Sequence, residues 1–262
     1  MQVKDLTSII EQYAPLNLQE SYDNAGLICG DTENEVTAVL LCTDVTESVI
    51  DEAIAENCNL IISHHPLTIQ PLKNLLPHNS IKRSLIKAIK HDINIYAAHT
   101  NMDAVINGVS GKIADKLGLT SREILQVSPN SSNTTTGFGI IGELEKAADS
   151  YNYLKQIKEI FHCEIIRHTA LCTPTVKRIA VCGGSGAFLI KDAISAKADL
   201  YITGDIKYHD FFQAENRIIL ADIGHYESEQ YTKEIFYKLV TKKISKFAVQ
   251  FSKINTNPIN YL

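Results

Sequence analysis

The chain has 262 residues, 45% hydrophobic and 21% charged, with 30 acidic against 25 basic side chains and a formal net charge of -5. These proportions are ordinary for a globular protein and exclude a disordered chain, collagen-like repeats and a small disulfide scaffold; the length suits one large domain or two modest ones. The mild acidity argues against nucleic acid as the main partner, because phosphate binding shows as a basic excess.

An amphipathic helix is expected from about Val3 to Tyr13, stopped by Pro15. The apolar run AVLLCTDV (38–45) reads as a buried strand, and Thr46 as the cap of a helix over TESVIDEAIAEN. NLIIS is a strand ending at His64-His65-Pro66. Ser80 is placed as the cap of a helix SIKRSLIKAIKH, followed by the strand INIYAAH ending at His99 and a helix from about Ser110 to Leu117. The polar, turn-rich stretch 128–139 reads as a loop or as the exit from a first lobe. GFGIIGEL then reads as a strand, YNYLKQIKEIFH as a helix and CEIIRHTA as a strand, together a small α+β insertion.

From Val176 the alternation restarts: strand RIAVCGG, helix AFLIKDAISAKA, strand DLYITGD, helix KYHDFFQAEN, strand RIILADIGH, a long helix from about Ser228 to Ser245 and a last strand KFAVQFSK. Such alternation points to parallel strands with crossover helices, hence an α/β fold. The expected division is a first α/β lobe over 1–125 and a second over 126–262, the latter including the α+β segment at about 137–172. The two series rhyme at nearly equal spacing, and each closes on a strand ending in histidine, which suggests two pseudo-repeated lobes.

The start, MQVKDLTSIIEQYAPL, lacks the basic region and apolar run of a secretory signal, and no stretch approaches the ~18 consecutive apolar residues of a membrane span. The six cysteines form no CxxC pair and sit mostly in apolar contexts, as buried reduced thiols do. A cytoplasmic protein is expected.

In open α/β sheets functional groups gather beyond the carboxyl ends of the strands. His64, His65, His99 and His225 all fall there, in SHHP, AHTNMD and GHYESE. Imidazole is the commonest biological metal ligand and carboxylates complete such sites. Asp103 lies four residues after His99, and Glu229 four after His225, on a shared face wherever the chain is helical. Adjacent histidines at an irregular strand end can reach one cavity, each taking its own ion, with Asp103 or Glu229 bridging. Glu227, two residues from His225, is off that face and reads as solvated. Asp23 and Asn24 either bond to the site or shape a turn before Gly26, the turn being favoured. CGGSG (182–186) is shaped like an anion nest at a helix start, but lacks both GxxxxGK[ST] and a full GxGxxG.

SYDNAGLICGD, LIISHHPL, AAHTNMD, TGDIKYHD and DIGHYESE, in this order, resemble the motifs of the NGG-interacting-factor-three-like family, whose bacterial members are often labelled GTP cyclohydrolase I type 2 homologues. The resemblance runs from about Leu6 to Phe251. It implies two α/β lobes with a dinuclear metal centre in the cleft between them, and assembly into a toroidal homohexamer. It carries the metal ligands onto His64, His65, Asp103, His225 and Glu229. His99 and His209 then stand near the cleft as catalytic proton shuttles, or as groups that orient a ligand or cap a helix. The family's first motif usually has Trp where this chain has Tyr22. With about 55 residues between Thr120 and Val176, the chain is similar to the short form of the family, without a large extra domain.

Five nitrogen and oxygen donors suit two divalent ions among Zn, Fe, Mn, Ni and Co. Five protein ligands for two ions leave coordination positions open, as catalytic sites do, and an acidified water makes hydrolysis the natural reaction class. The resemblance implies a metal-bound hydroxide that opens the guanine imidazole ring of GTP and releases formate. A phosphoester or another cyclic amidine would serve the same site. The competing reading is a non-enzymatic metal-binding protein that stores, delivers or senses metal, or a ring-shaped adaptor.

Overall fold

The computed structural model describes residues 1–128, 135–243 and 248–262. The described chain forms two compact units, Met1–Met102 with Thr232–Asn260, and Asp103–Tyr231 with Tyr261–Leu262. The division therefore falls at Met102/Asp103 rather than at 125/126, and the C-terminal segment returns to the first unit.

The helices of the first unit are α1 (Val3–Tyr13), α2 (Glu47–Ala55), α3 (Ser80–Lys90) and, near the C-terminus, α9 (Thr232–Lys243). Its strands are β1 (Gly26–Cys29), β2 (Ala38–Cys42), β3 (Leu60–Ser63), β4 (Asn94–Ala97) and β11 (Ala248–Phe251). They build one sheet in the order β1-β4-β3-β2-β11. All neighbours pair in parallel except β1, which runs antiparallel to β4. β2, β3 and β4 are buried at every position, as expected of central parallel strands covered on both faces. α1 buries Val3, Leu6 and Ile10, three positions of one helical stripe. Thr46 caps α2 by accepting from Val49 N at 3.3 Å. α3 is capped by Asn79, which accepts from Lys82 N, and not by Ser80; Asn reaches the orphan amides from one residue further out. β1 escaped the sequence reading because four residues with one buried position carry little periodicity.

The short helix α4 (Thr100–Asp103) belongs to the first unit except for its last residue, and the second unit holds α5 (Val109–Lys116), α6 (Ser150–Ile160), α7 (Ile190–Ser195) and α8 (His225–Glu229). Its strands are β5 (Thr120–Val127), β6 (Gly137–Asp149), β7 (Arg167–His168), β8 (Thr175–Ser185), β9 (Leu200–Gly204) and β10 (Ile219–Asp222). The sheet order is β5-β6-β8-β9-β10-β7. β8, β9 and β10 are parallel, and β5, β6 and β7 join antiparallel at the two sides. The segment read as a separate α+β insertion is thus part of this sheet, with α6 packed in its core through Tyr153, Leu154 and Ile157. Apolar clusters cover both faces, one around Ile179, Val181 and Ile202 and the other around Ala180, Tyr201 and Leu220, the alternation of side chains along each strand dividing them. β5, with only Ile124 buried, was not legible as a strand.

Three expected helices are shorter in the structure. AFLIKDAISAKA opens with a 3-10 turn before α7, and KYHDFFQAEN forms only the 3-10 turn Asp210–Ala214. The helix expected over Ser228–Ser245 is split into α8 and α9, and Ser245 lies outside the described residues, as do Lys246 and Phe247 of the last strand and much of the 128–139 loop. Cys42, Cys58, Cys163 and Cys182 are buried free thiols, whereas Cys172 is exposed. No helix among the described residues is long and apolar enough to cross a membrane.

Candidate metal centre

In the first unit, β3 and β4 deliver three histidines. His64 N and His65 N bond to Cys42 O and Thr43 O, at 3.3 and 2.9 Å, so the chain stays alongside β2 for two residues past β3. The rings nonetheless converge: centroids of His64 and His65 are 4.8 Å apart, and each lies 5.3 Å from that of His99. One ring nitrogen from each of the three lies within 4.8 Å of the others.

What holds these rings decides which nitrogen faces a ligand. His64 is fully buried, and its Nδ1 lies 3.0 Å from Ala98 O. A carbonyl oxygen only accepts, so Nδ1 carries the proton and Nε2 the lone pair. His65 Nδ1 donates to Asp44 Oδ1 at 2.7 Å, and His99 Nδ1 to Asp23 Oδ1 at 2.8 Å. Asp44 is itself fixed by Thr256 Oγ1 at 2.6 Å. Asp23 also accepts from Thr100 N and from the Thr100 hydroxyl. Burial works against charge on Asp23, but the bonds from His99 and Thr100 outweigh it and hold the carboxyl well below the usual range. Asp23 therefore anchors the site as well as shaping a turn, in which it accepts from Asn24 N at 2.7 Å; Asn24 Nδ2 donates to Thr68 O. Tyr22 beside them is largely exposed.

The second unit repeats the device. His225 starts α8, just past β10, and its Nδ1 donates to Asp205 Oδ2 at 2.8 Å, beyond the end of β9. Its Nε2 lies 3.0 Å from Glu229 Oε2, the i+4 partner on α8. Burial opposes a charge on His225, yet the bonds to Asp205 and Glu229 prevail and push it up to about 11. The two carboxylates thus favour a positive charge at this position, which a proton or a bound cation supplies. Asp103 acts on the same end of β8: burial first, then the charges of Asp103 and Glu229, push the Cys182 thiol up to about 12.

The CGGSG segment, read from sequence as a possible anion nest, packs closely against the protein's own Glu229 carboxylate. A Cβ on Gly184, whose φ is +59°, would stand 2.2 Å from Glu229 Oε1 and 3.3 Å from His225 Cε1. Gly184 N donates to Ser228 Oγ, which in turn donates to His225 O at 2.7 Å. Glu227 is buried, against the solvated position expected of it. Gly224, at φ +92°, turns the chain so tightly that its Cβ would meet Glu227 Oε2 at 2.1 Å. His209 lies exposed on the turn after β9, with Tyr208 and Phe212 as ring neighbours at 5.1 and 6.2 Å.

The donor set fits divalent metal ions. Four imidazoles are each locked through Nδ1 by an oxygen acceptor, the outer-sphere bond that fixes tautomer and ring orientation in metal-binding histidines. Nitrogen and oxygen donors without thiolate suit first-row ions such as Zn, Fe, Mn, Ni or Co. Of the three anchoring carboxylates, the sequence offers Asp23 as a bond to the site only behind the favoured turn and does not single out Asp44 and Asp205, although both share the signal of an acid just past a strand end.

The sequence profile of the family described as Duf34/NIF3 (NGG1p interacting factor 3) matches residues 1–258. A Clostridium acetobutylicum protein named GTP cyclohydrolase 1 type 2 homolog is 33% identical over 266 residues, covering 100% of this chain and 99% of that protein. A protein of the same name from Clostridium perfringens is 38% identical over 232 residues, 87% of each. Among solved structures, the Staphylococcus aureus hypothetical protein SA1388 superposes with a TM-score of 0.90 at 30% identity, over 100% of this chain and 99% of its own. A Bacillus cereus protein related to NIF3 has a TM-score of 0.91 at 24% identity over the same shares, a likeness of fold.

Proposed function

The chain belongs to the Duf34/NIF3 family, and on that premise we propose that it is a dinuclear metal-dependent hydrolase of small molecules. His64, His65, Asp103, His225 and Glu229 would hold two divalent ions. The observation that carries this reading is that the three ligand imidazoles, His64, His65 and His225, each have Nδ1 tied to an oxygen acceptor. Bound divalent ions supply Lewis acidity and lower the pKa of water to about 7.

The chain's own groups do the rest. Asp44 and Asp205 keep the Nε2 lone pairs of His65 and His225 forward. The His99–Asp23 pair takes a proton from the reacting group, the carboxylate steadying the imidazolium that forms. We assign this role to His99 ahead of His209, because a buried carboxylate anchors the former while the ring of the latter lies exposed on a turn. The substrate class that follows from the name of the relatives is a nucleotide, opened at a cyclic amidine or cleaved at a phosphoester. A ring of six copies belongs to the same proposal and is checked by sedimentation.

Elemental mass spectrometry of untagged protein purified without chelator tests the centre. Near two ions per chain are expected, falling in His65→Ala and Glu229→Ala with the fold retained. Near zero, with no uptake of Zn, Mn or Fe, overturns the reading. Hydrolysis of GTP or a phosphoester panel should disappear on chelation and return with ions. Full metal content with no turnover on that panel would instead favour storage or delivery of metal. His99→Ala should keep the ions and lose about 10²–10⁴-fold in kcat.

A further inference from the structure

The second unit carries a cleft of about 590 Å³ at the carboxyl ends of β8 and β9, where ligands of open α/β sheets bind. The volume lies within the usual range for small-molecule sites, roughly 300–1,000 Å³. Arg167, Ser185, Phe188, Asp205, Lys207 and Asp210 supply its chemistry.

Arg167 is held in place before any ligand arrives. Its Nη2 donates to Ile206 O at 3.0 Å and to the carboxylate of Asp222, which is 4% exposed, and its guanidinium lies 5.6 Å from the Phe211 ring centroid. Both bonds use one nitrogen, whereas a guanidinium carries five N–H donors in a fork that suits carboxylate and phosphate. Lys207 adds a second cation on the same wall. The Phe188 ring is 57% exposed and packs edge-to-face on Phe138 at 5.9 Å, which fixes the ring.

The two acids of the cleft are already partly engaged. Asp205 accepts from Ser185 Oγ at 2.5 Å and from His225 Nδ1, and Asp210 Oδ1 accepts from Gln213 Nε2 at 3.1 Å. Carboxylate oxygens each offer further lone pairs and accept well from the N–H groups of a nitrogen heterocycle. The cleft therefore offers cations for an anionic end, an aromatic ring for a planar one and acceptors for ring N–H groups. Asp205 both lines this cleft and anchors His225.

We propose that this cleft is a binding site for a phosphorylated nitrogen heterocycle of nucleotide size, with Arg167 and Lys207 on the phosphate, Phe188 stacked on the ring, and Asp205 or Asp210 accepting from its N–H groups. The identification of that ligand as substrate rests on the hydrolase reading above, but its binding does not, since none of these contacts is a metal.

The test is calorimetric titration of the full-length protein, stripped of metal by chelation, with AMP, GMP, their nucleosides and inorganic phosphate. Both arms of the ligand are needed, so at least one nucleotide should bind about ten-fold or more tighter than its nucleoside and than phosphate. Phe188→Ala and Lys207→Ala should each weaken that nucleotide by about ten-fold, stacking and a charged hydrogen bond each being of that order. Circular dichroism controls for folding, and the metal content of unchelated variants should match that of the parent. Nucleotides that bind no better than phosphate, or binding untouched by both substitutions in folded protein, overturn the proposal. Either result leaves the metal reading standing, and zero metal content with intact nucleotide binding defeats the hydrolase reading alone.

Discussion

The parallel trios β2-β3-β4 and β8-β9-β10 share a backbone plan and differ in what they place at their carboxyl ends. In the first trio the middle strand ends in His64-His65, and the last in His99; the anchoring acids come from Asp44 past β2 and Asp23 before β1. In the second trio the middle strand ends in Gly204-Asp205, so the acid sits there, and the last strand supplies both an imidazole and, four residues on, Glu229. One trio presents imidazoles steadied from outside, the other a mixed imidazole–carboxylate pair steadied from within. The backbone follows suit: a bend past β3, still hydrogen-bonded to the chain after β2, carries His64-His65, whereas the second unit needs glycine at 184 to let Glu229 close in. A repeated scaffold thus fixes where ligands emerge, and a few side chains decide what they are.

The largest effect should come from Gly184→Ala. The added Cβ collides with Glu229 Oε1, and the left-handed backbone alone costs about 1–2 kcal/mol for a non-glycine residue. Metal titration should show over 100-fold weaker retention and calorimetry a lower Tm; retention at the parent level would mean the glycine does not shape the site. Next, Asp205→Asn and Asp44→Asn remove one anchor from each trio. Each should weaken metal binding about 10–100-fold, and a loss confined to one of them would show that the two trios do not contribute alike.

Asp23→Asn sharpens the comparison through pH. Its carboxyl is held below the ordinary value, so the stability it contributes is present above about pH 4 and lost as pH falls through the lower folded value. The variant should be less stable at pH 7, with a shallower decline below pH 4 in denaturant midpoints; an unchanged acid limb would break the assignment. The smallest effect is expected from Thr46→Ala and Asn79→Ala, caps of α2 and α3, at about 1 kcal/mol each. Neither should change metal content.

The apolar runs of β2, β3, β8, β9 and β10 were legible because central parallel strands are buried on both faces and need no partner sequence to be recognised. Histidines just past such runs, and Asp103 and Glu229 at helical spacing, followed from position along the chain. β1, β5 and the place of α6 in the second core did not, because edge and half-exposed strands show little pattern until their neighbours are known. The anchors are further still from local signals: Asp23 meets His99 across 76 positions, Asp44 meets His65 across 21, and Asp205 meets His225 across 20. The sequence by itself determined the central strands, the crossover helices α2 and α3 and the candidate cation-binding residues, since these depend on burial period and side-chain type. Which carboxylate orients which imidazole, and that Glu229 fills the space beside Gly184, was decided only by tertiary structure, because a hydrogen bond depends on positions within a few tenths of an ångström that chain order does not encode.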